Sequence, residues 1–155
     1  MVLYSHFRSE HLLVHHIHVG TPKDPVTAKY NENFYKFFMG VLVQCPSSSF
    51  KSEITKLGRK GLPPSDFSNP FYIYFALQFF MIALSLLIGG FFGLFLFFIQ
   101  AVVAILLLEL VNYIEHYGLS RKSLKNGKYE FVQPHHSWNS TYKAVSYTHL
   151  RAHET

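Results

Sequence analysis

One long apolar run dominates the pattern of polar and apolar residues along this chain. No charged residue occurs between Phe71 and Leu108. A membrane-spanning helix needs roughly 20 apolar residues, so the run is long enough for two spans, with Gly89-Gly90 as the turn between them. We predict an all-α integral membrane protein whose transmembrane hairpin has spans at about residues 71–88 and 91–114. The second helix should continue to Tyr117 and emerge at the membrane surface.

The residues before the hairpin show helical spacing broken by turn signals. Residues 7–18 predict a helix rich in histidine, which Gly20 and Pro22 end. Asp24-Pro25 has the form of an N-cap followed by proline at the first helical position, and apolar residues recur at helical spacing over 25–44. We therefore predict a packed or interfacial amphipathic helix over these residues.

The remaining segments are more polar. A shorter helix is predicted at about residues 49–59, followed by a loop with three prolines from Gly61 to Pro70. Residues 120–143 are typical of a surface loop.

The charge distribution predicts the orientation of the hairpin. The formal net charge is +5, and the basic residues lie in two blocks, one on each side of the apolar run. The positive-inside rule then places both ends of the hairpin in the cytoplasm. We interpret the basic surface as topology and attraction to anionic lipid, and we expect no nucleic acid partner. Cys45 is the single cysteine, so neither an intrachain disulfide nor a cysteine metal cluster can form.

Histidines on both sides of the hairpin are candidate metal ligands. His11 and His15 are four residues apart and share one helical face, while His16 lies about 100° further round. Glu10 precedes them and could orient an imidazole, as carboxylates do at metal sites. A single histidine at a membrane interface is more often solvated than metal-bound, but a group of three is less easily explained in that way.

A polar stripe on the second span points to the same site. Glu109, Asn112 and His116 are separated by three and four residues on an otherwise apolar helix, and Glu115 is adjacent. Polar groups at membrane depth usually face a bundle interior and mark function. We expect His116 to be a ligand, with the other three residues in support. The remaining histidines are expected not to be ligands: His6, His18, His135 and His136.

Four stretches resemble a known family, the integral-membrane alkane 1-monooxygenases, which are relatives of the membrane fatty-acid desaturases and hydroxylases. Glu10 to His16 is similar to the family's second histidine box, and residues 19–25 are similar to the sequence that follows it. Asn112 to Leu119 matches the signature Asn-Tyr-x-Glu-His-Tyr-Gly-Leu. Pro134 to Asn139 matches the segment before the last box. The likeness covers about residues 4–144.

The resemblance implies a six-span fold in the inner (cytoplasmic) membrane, with a di-iron centre bound by nine histidines on the cytoplasmic side. It also implies O2-dependent terminal hydroxylation of n-alkanes to 1-alkanols, with electrons from rubredoxin and rubredoxin reductase. By position in the motifs, His11, His15, His16 and His116 would be iron ligands. Val14 stands where the family usually has glycine.

The first and last histidine boxes of the family are not in this sequence, so we interpret residues 1–144 as an internal fragment of the monooxygenase domain. Val145 to Thr155 reads as a translated transposase sequencing adapter. We therefore expect His149 and His153 to be artefacts rather than replacement ligands. With four of nine ligands, the chain as given is expected to be inactive.

Two alternatives remain open at this point. The parent protein could be a sibling di-iron hydroxylase or desaturase acting on fatty acyl or other hydrocarbon chains. The chain could instead be a non-enzymatic membrane hairpin with a weak surface metal site.

Overall fold

The computed structural model describes residues 3–124 and 127–138, except for the side chain of Pro134. The predicted all-α class is confirmed, because every element named along the described chain is helical. In chain order these elements are α1 (Phe7–Glu10), a π-helical segment (His11–His15), α2 (His16–His18), α3 (Phe34–Arg59), α4 (Pro70–His116) and a 3-10 turn (Pro134–His136).

The apolar run forms a hairpin. Within α4, Gly90 has φ 57° and ψ −153°, a conformation that favours glycine. A Cβ atom on Gly93 would lie only 2.8 Å from the carbonyl oxygen of Ser85, whereas eight residues of straight helix extend about 12 Å. The chain therefore reverses direction at Gly90, within the predicted turn.

The surface of the hairpin suits a membrane. Among the described residues, α4 is the one helix with the length and composition needed to cross a bilayer. Its large apolar side chains project outward, and Leu87 and Phe91 are 82% and 85% exposed. A contiguous apolar surface of this extent is stable in hydrocarbon rather than in water. The bounds of the two spans stay a prediction.

The structure corrects the predicted start of the amphipathic helix. α3 begins at Phe34 rather than at Pro25, and its N-cap is Asn33, whose side chain accepts a hydrogen bond from the Lys36 N–H at 2.9 Å. Asp24 caps a turn rather than a helix: its carboxylate accepts from the Val26 N–H and the Thr27 hydroxyl, and it also contacts Nδ1 of His15. Asn31 has φ 64°, which a helix through this segment would not permit.

The predicted separate helix at residues 49–59 is also wrong, since α3 continues through Pro46 to Arg59. A compact apolar cluster connects α3 with the loop before it, and the end of α4 packs against this cluster. Its buried members are Val26, Ala28, Phe37, Val41 and Cys45, with Phe34, Tyr113 and Tyr117 packed against them.

Two buried hydrogen bonds fix the N-terminal helix across the open end of the hairpin. The Tyr4 hydroxyl donates to Oε1 of Glu109 at 2.9 Å, and the hydroxyls of Ser9 and Tyr74 lie 2.9 Å apart. Glu109 and Tyr74 belong to opposite arms of the hairpin. The histidines of this helix are therefore held beside His116, the last residue of α4.

Candidate metal centre

Four histidine rings converge at the open end of the hairpin. The ring centroids of His11 and His16 are 4.5 Å apart, and those of His11 and His15 are 5.2 Å apart. His116 joins them from α4, with its ring centroid 4.8 Å from that of His15. These are the four histidines selected as ligands from the sequence. The structure brings them together, while their role as ligands stays a prediction.

The π-helical segment explains how three histidines of one helix can meet. In an α-helix, His16 would point about 100° away from His15. A π turn forms i→i+5 hydrogen bonds, so it places residue i+5 close above residue i. His11 and His16 have this spacing, and their rings are in edge-to-face contact. The π turn was not predicted from the sequence, because helical spacing was counted with the ordinary period of the α-helix.

A buried carboxylate orients His15. Nδ1 of His15 lies 2.9 Å from Oδ2 of Asp24, and both side chains are almost completely buried. The Thr27 hydroxyl donates to the same oxygen at 2.6 Å, and the Val26 N–H donates to Oδ1 at 3.1 Å. With Nδ1 donating to the carboxylate, Nε2 on the opposite side of the ring is the nitrogen suited to a metal ion.

The electrostatics of this pair keep Asp24 negatively charged. Burial alone would raise the pKa of Asp24, but attraction to His15 and the hydrogen bonds from His15 and Thr27 outweigh it and lower the pKa. Asp24 was not predicted as a site residue, because its position before Pro25 matches that of a helix cap.

A backbone carbonyl orients His116. Nδ1 of this fully buried ring lies 3.2 Å from the carbonyl oxygen of His136, and the Ser137 hydroxyl is 3.3 Å away. A carbonyl oxygen can only accept, so Nδ1 carries the proton and Nε2 is the nitrogen suited to a metal ion. This contact could not be read from the sequence because it uses the main chain of a residue twenty positions away.

The predicted supporting residues are buried around the histidines. Glu10 and Glu109 have no exposed surface, and Glu115 and Asn112 are also buried. Ser48 donates to Glu10, while Asn112 donates to Oε2 of Glu109 at 3.1 Å. Burial raises the pKa of Glu115, partly opposed by the nearby His15. Glu109 thus accepts hydrogen bonds from both Asn112 and Tyr4. The support of His116 by Glu109 and Asn112 stays a prediction.

This donor set fits a metal centre. Burial raises the pKa of Glu10 to about 7, partly opposed by its hydrogen bond from Ser48. Buried carboxylates are costly unless cations or hydrogen bonds compensate them, and four surround this cluster of imidazoles. Metal cations would supply that compensation. Imidazole nitrogens backed by carboxylate and carbonyl acceptors are typical metal ligands, and imidazole suits iron among other transition metals.

A second group of possible donors lies next to the first. Side-chain atoms of Glu130, His135 and His136 lie within 4.8 Å of one another. Both ring nitrogens of His136 are already engaged, since Nδ1 accepts from the Gln133 N–H and Nε2 lies 3.2 Å from Glu130. These bonds favour a supporting role for His136 over metal ligation.

Comparison with known proteins shows the family. The model of the fatty acid desaturase family matches residues 1–153. The chain belongs to the fatty acid desaturase family. The match extends into the segment that the sequence analysis assigns to an adapter, and that assignment stays a prediction.

Within the fatty acid desaturase family, the chain is similar to alkane 1-monooxygenases, as predicted from its motifs. It is 38% identical to alkane 1-monooxygenase 2 of Pseudomonas aeruginosa over 155 residues, which cover 98% of this chain and 41% of the relative. It is 36% identical to alkane 1-monooxygenase 2 of Alcanivorax borkumensis over 141 residues, covering 91% of this chain and 37% of the relative.

A third relative of the chain is named for a different class of hydrocarbon. The hydroxylase component of xylene/toluene monooxygenase from Pseudomonas putida is 32% identical over 133 residues, covering 83% of this chain and 34% of the relative. The chain thus spans about two fifths of the length of the curated relatives that it matches.

Proposed function

We propose that this chain is an internal part of an alkane 1-monooxygenase that converts n-alkanes to 1-alkanols with O2. The observation that carries the proposal is the convergence of His11, His15, His16 and His116, each within a motif shared with that family. The names of the relatives support alkanes as the substrate class. The reaction consumes the alkane, O2, two electrons and two protons, and it releases the alcohol and water.

The histidine cluster would hold iron, and two iron ions bound there would supply O2 activation. Asp24 and the carbonyl oxygen of His136 hold the rings of His15 and His116 in the tautomer that metal binding requires. Burial of both rings excludes bulk water from this part of the site. The remaining ligands would come from segments of the complete protein outside this chain.

Substrate binding would depend on apolar contact alone. Alkanes carry no polar group, and burial contributes about 0.8 kcal/mol for each CH2. The phenylalanine- and leucine-rich arms of α4 end beside the histidines, so a hydrocarbon chain lying along them would reach the site. Electrons would come from rubredoxin and rubredoxin reductase, as the family resemblance implies. We place the site on the cytoplasmic side of the inner membrane because basic residues flank both ends of the hairpin.

The direct test is product analysis with the complete protein. Expressed with rubredoxin and its reductase, the protein should convert n-octane to 1-octanol, detected by gas chromatography. Desaturated or hydroxylated fatty acids without any alkanol would instead support the sibling alternative. Similarity to the xylene/toluene enzyme favours one further candidate, hydroxylation of an aromatic hydrocarbon such as xylene or toluene, and toluene should be included in the panel.

The 155-residue chain alone should be inactive, because four ligands of nine leave an incomplete site. Purified in detergent and supplied with ferrous iron, it should retain fewer than two irons and form no octanol. Sequencing of the source locus from a library prepared without transposase tests the adapter proposal. The reading frame should then diverge from the present sequence after Ala144; an unchanged frame would refute the adapter.

A further inference from the structure

The segment that follows α4 contacts both the end of α4 and the helix that carries the other histidines. We call its described part, residues 119–124 and 127–138, the strap. Its C-terminal end is fixed to the end of α4, where the Trp138 N–H donates to the Glu115 carbonyl at 2.8 Å and its indole N–H donates to the Tyr117 carbonyl at 2.9 Å. The carbonyl that orients His116 belongs to this strap. The position of the strap therefore determines the geometry around His116.

Arg121 connects the strap to the helix that carries the other histidines. Its guanidinium donates to the carbonyls of Ile17 at 2.9 Å and Val19 at 3.3 Å, and its backbone N–H donates to the carbonyl of Gly20 at 2.8 Å. These carbonyls lie at the C-terminal end of α2, where a positive charge is favourable. A Cβ on Gly20 would lie 3.3 Å from the backbone nitrogen of Arg121, so glycine permits this close approach.

The same arginine also organises the far side of the strap. Its Nε donates to the carbonyl of Glu130 at 2.7 Å, and the Glu130 side chain accepts from the Lys122 N–H at 2.8 Å. Nε2 of His136 lies 3.2 Å from that carboxylate, and Nδ1 of His136 accepts from the Gln133 N–H at 2.9 Å. His136 is thus held at both ring nitrogens, and its carbonyl is directed at His116.

We propose that Arg121, Glu130 and His136 are positioning residues that fix His116 in its Nδ1–H tautomer and hold it beside His15. The chain of contacts runs from the end of α2 through Arg121 to Glu130, then through His136 to His116. Arg121, Glu130 and His136 can have this role without touching the metal ions. The inference deepens the proposed function, because a fixed tautomer matters for His116 only as a metal ligand.

The test is the tautomer of His116 in the metal-free 155-residue chain, with 15N-labelled histidine and reconstituted in lipid nanodiscs. The His116 signal is identified by its loss in His116→Gln. The wild-type ring should be in the Nδ1–H form, and Arg121→Gln and Glu130→Leu should each produce a mixture with the Nε2–H form. Glu130→Gln keeps an acceptor for His136 and should preserve the wild-type tautomer.

Arg8→Gln is the matched control. Arg8 is an exposed arginine in α1, which directly precedes the histidines His11, His15 and His16. This variant should leave the tautomer unchanged. Helix content by circular dichroism identifies any variant that does not fold. The Glu130 side chain is only partly buried, at 29% exposed, so its two variants are expected to fold. A mixed tautomer in the wild type, or an unchanged one in folded Glu130→Leu, overturns the proposal.

A second measurement separates this proposal from the proposed function. In the complete protein, Glu130→Leu should lower iron affinity by about 10- to 100-fold, as loss of an outer hydrogen-bond partner does at other metal sites. A complete wild-type protein that binds no iron would refute the proposed function, whereas the tautomer result on the metal-free chain would still decide the role of the strap.

Discussion

Nδ1 of His15 and Oδ2 of Asp24 lie 2.9 Å apart inside a region that excludes solvent. This contact joins the histidine helix to the turn that follows it, and the two residues are only nine positions apart. It gives the His15 ring one orientation before any metal binds. A ligand held in this way loses little conformational entropy on binding, which favours affinity and a defined geometry.

Replacing Asp24 with asparagine should weaken metal binding. The Asp24→Asn side chain can still accept a hydrogen bond, but it lacks the negative charge that makes the imidazole a stronger ligand. We expect iron affinity of the complete protein to fall by about 10- to 100-fold, measured by competition with a chelator. Asp66→Asn, at a half-buried position in the loop between α3 and α4, is the matched control and should retain wild-type affinity. Equal affinities in the two variants would show that Asp24 has no role at the site.

Replacing Tyr4 with phenylalanine should destabilise the chain while leaving the four histidines proposed as ligands in place. Tyr4 is 4% exposed and donates to the buried carboxylate of Glu109, which would lose a hydrogen-bond donor. The expected loss in the free energy of unfolding is about 1–3 kcal/mol, measured by denaturant titration in mixed micelles. Tyr35→Phe changes a residue that is 80% exposed, and it should be neutral. An unchanged stability in Tyr4→Phe would mean that water replaces the lost donor.

Gly89 and Gly93, on either side of the turn at Gly90, should respond differently to alanine. In Gly93→Ala the new methyl group would lie 2.8 Å from the Ser85 carbonyl oxygen, so the arms must separate. We expect a loss of about 1–3 kcal/mol in the free energy of unfolding. In Gly89→Ala the methyl group meets nothing within 4 Å, and stability should stay near the wild-type value. The reverse order of the two variants would contradict the hairpin packing.

Cys45 should be unreactive in the folded chain. It has no exposed surface, and its pKa is raised by burial and by the nearby carboxylates of Glu10 and Glu109. Only the thiolate reacts with maleimide, so labelling at pH 7 should be at least 100-fold slower in the native chain than in denaturant, on the order of the accessibility difference for a buried thiol. Mass spectrometry follows the reaction at this single site. Rapid labelling of the native chain would show that α3 does not pack as described.

Sequence reasoning found the elements that depend on strong periodic patterns. The hairpin follows from a run without charge, and the ligand candidates follow from histidines at helical spacing beside glutamates. The predictions were wrong where one residue type is typical of two different structural roles. Asp24 before Pro25 has the form of a helix cap, and only the tertiary fold shows that His15 takes its carboxylate.

Other contacts were inaccessible to pattern reasoning in principle. The π turn at His11–His15 departs from the period on which every helical projection relies. The partner of His116 is a main-chain carbonyl, and main-chain groups are the same in every residue. The role of Arg121 could not be predicted either, because its side chain donates to main-chain carbonyls rather than to another side chain.

The most direct test of the central claim is the iron content of the complete protein, measured by mass spectrometry in the wild type, His116→Ala and His135→Ala. The account predicts two irons in the wild type and in His135→Ala, because His135 is exposed and expected not to be a ligand. It predicts loss of iron in folded His116→Ala. Two irons retained in His116→Ala would contradict the assignment of this cluster as the metal centre.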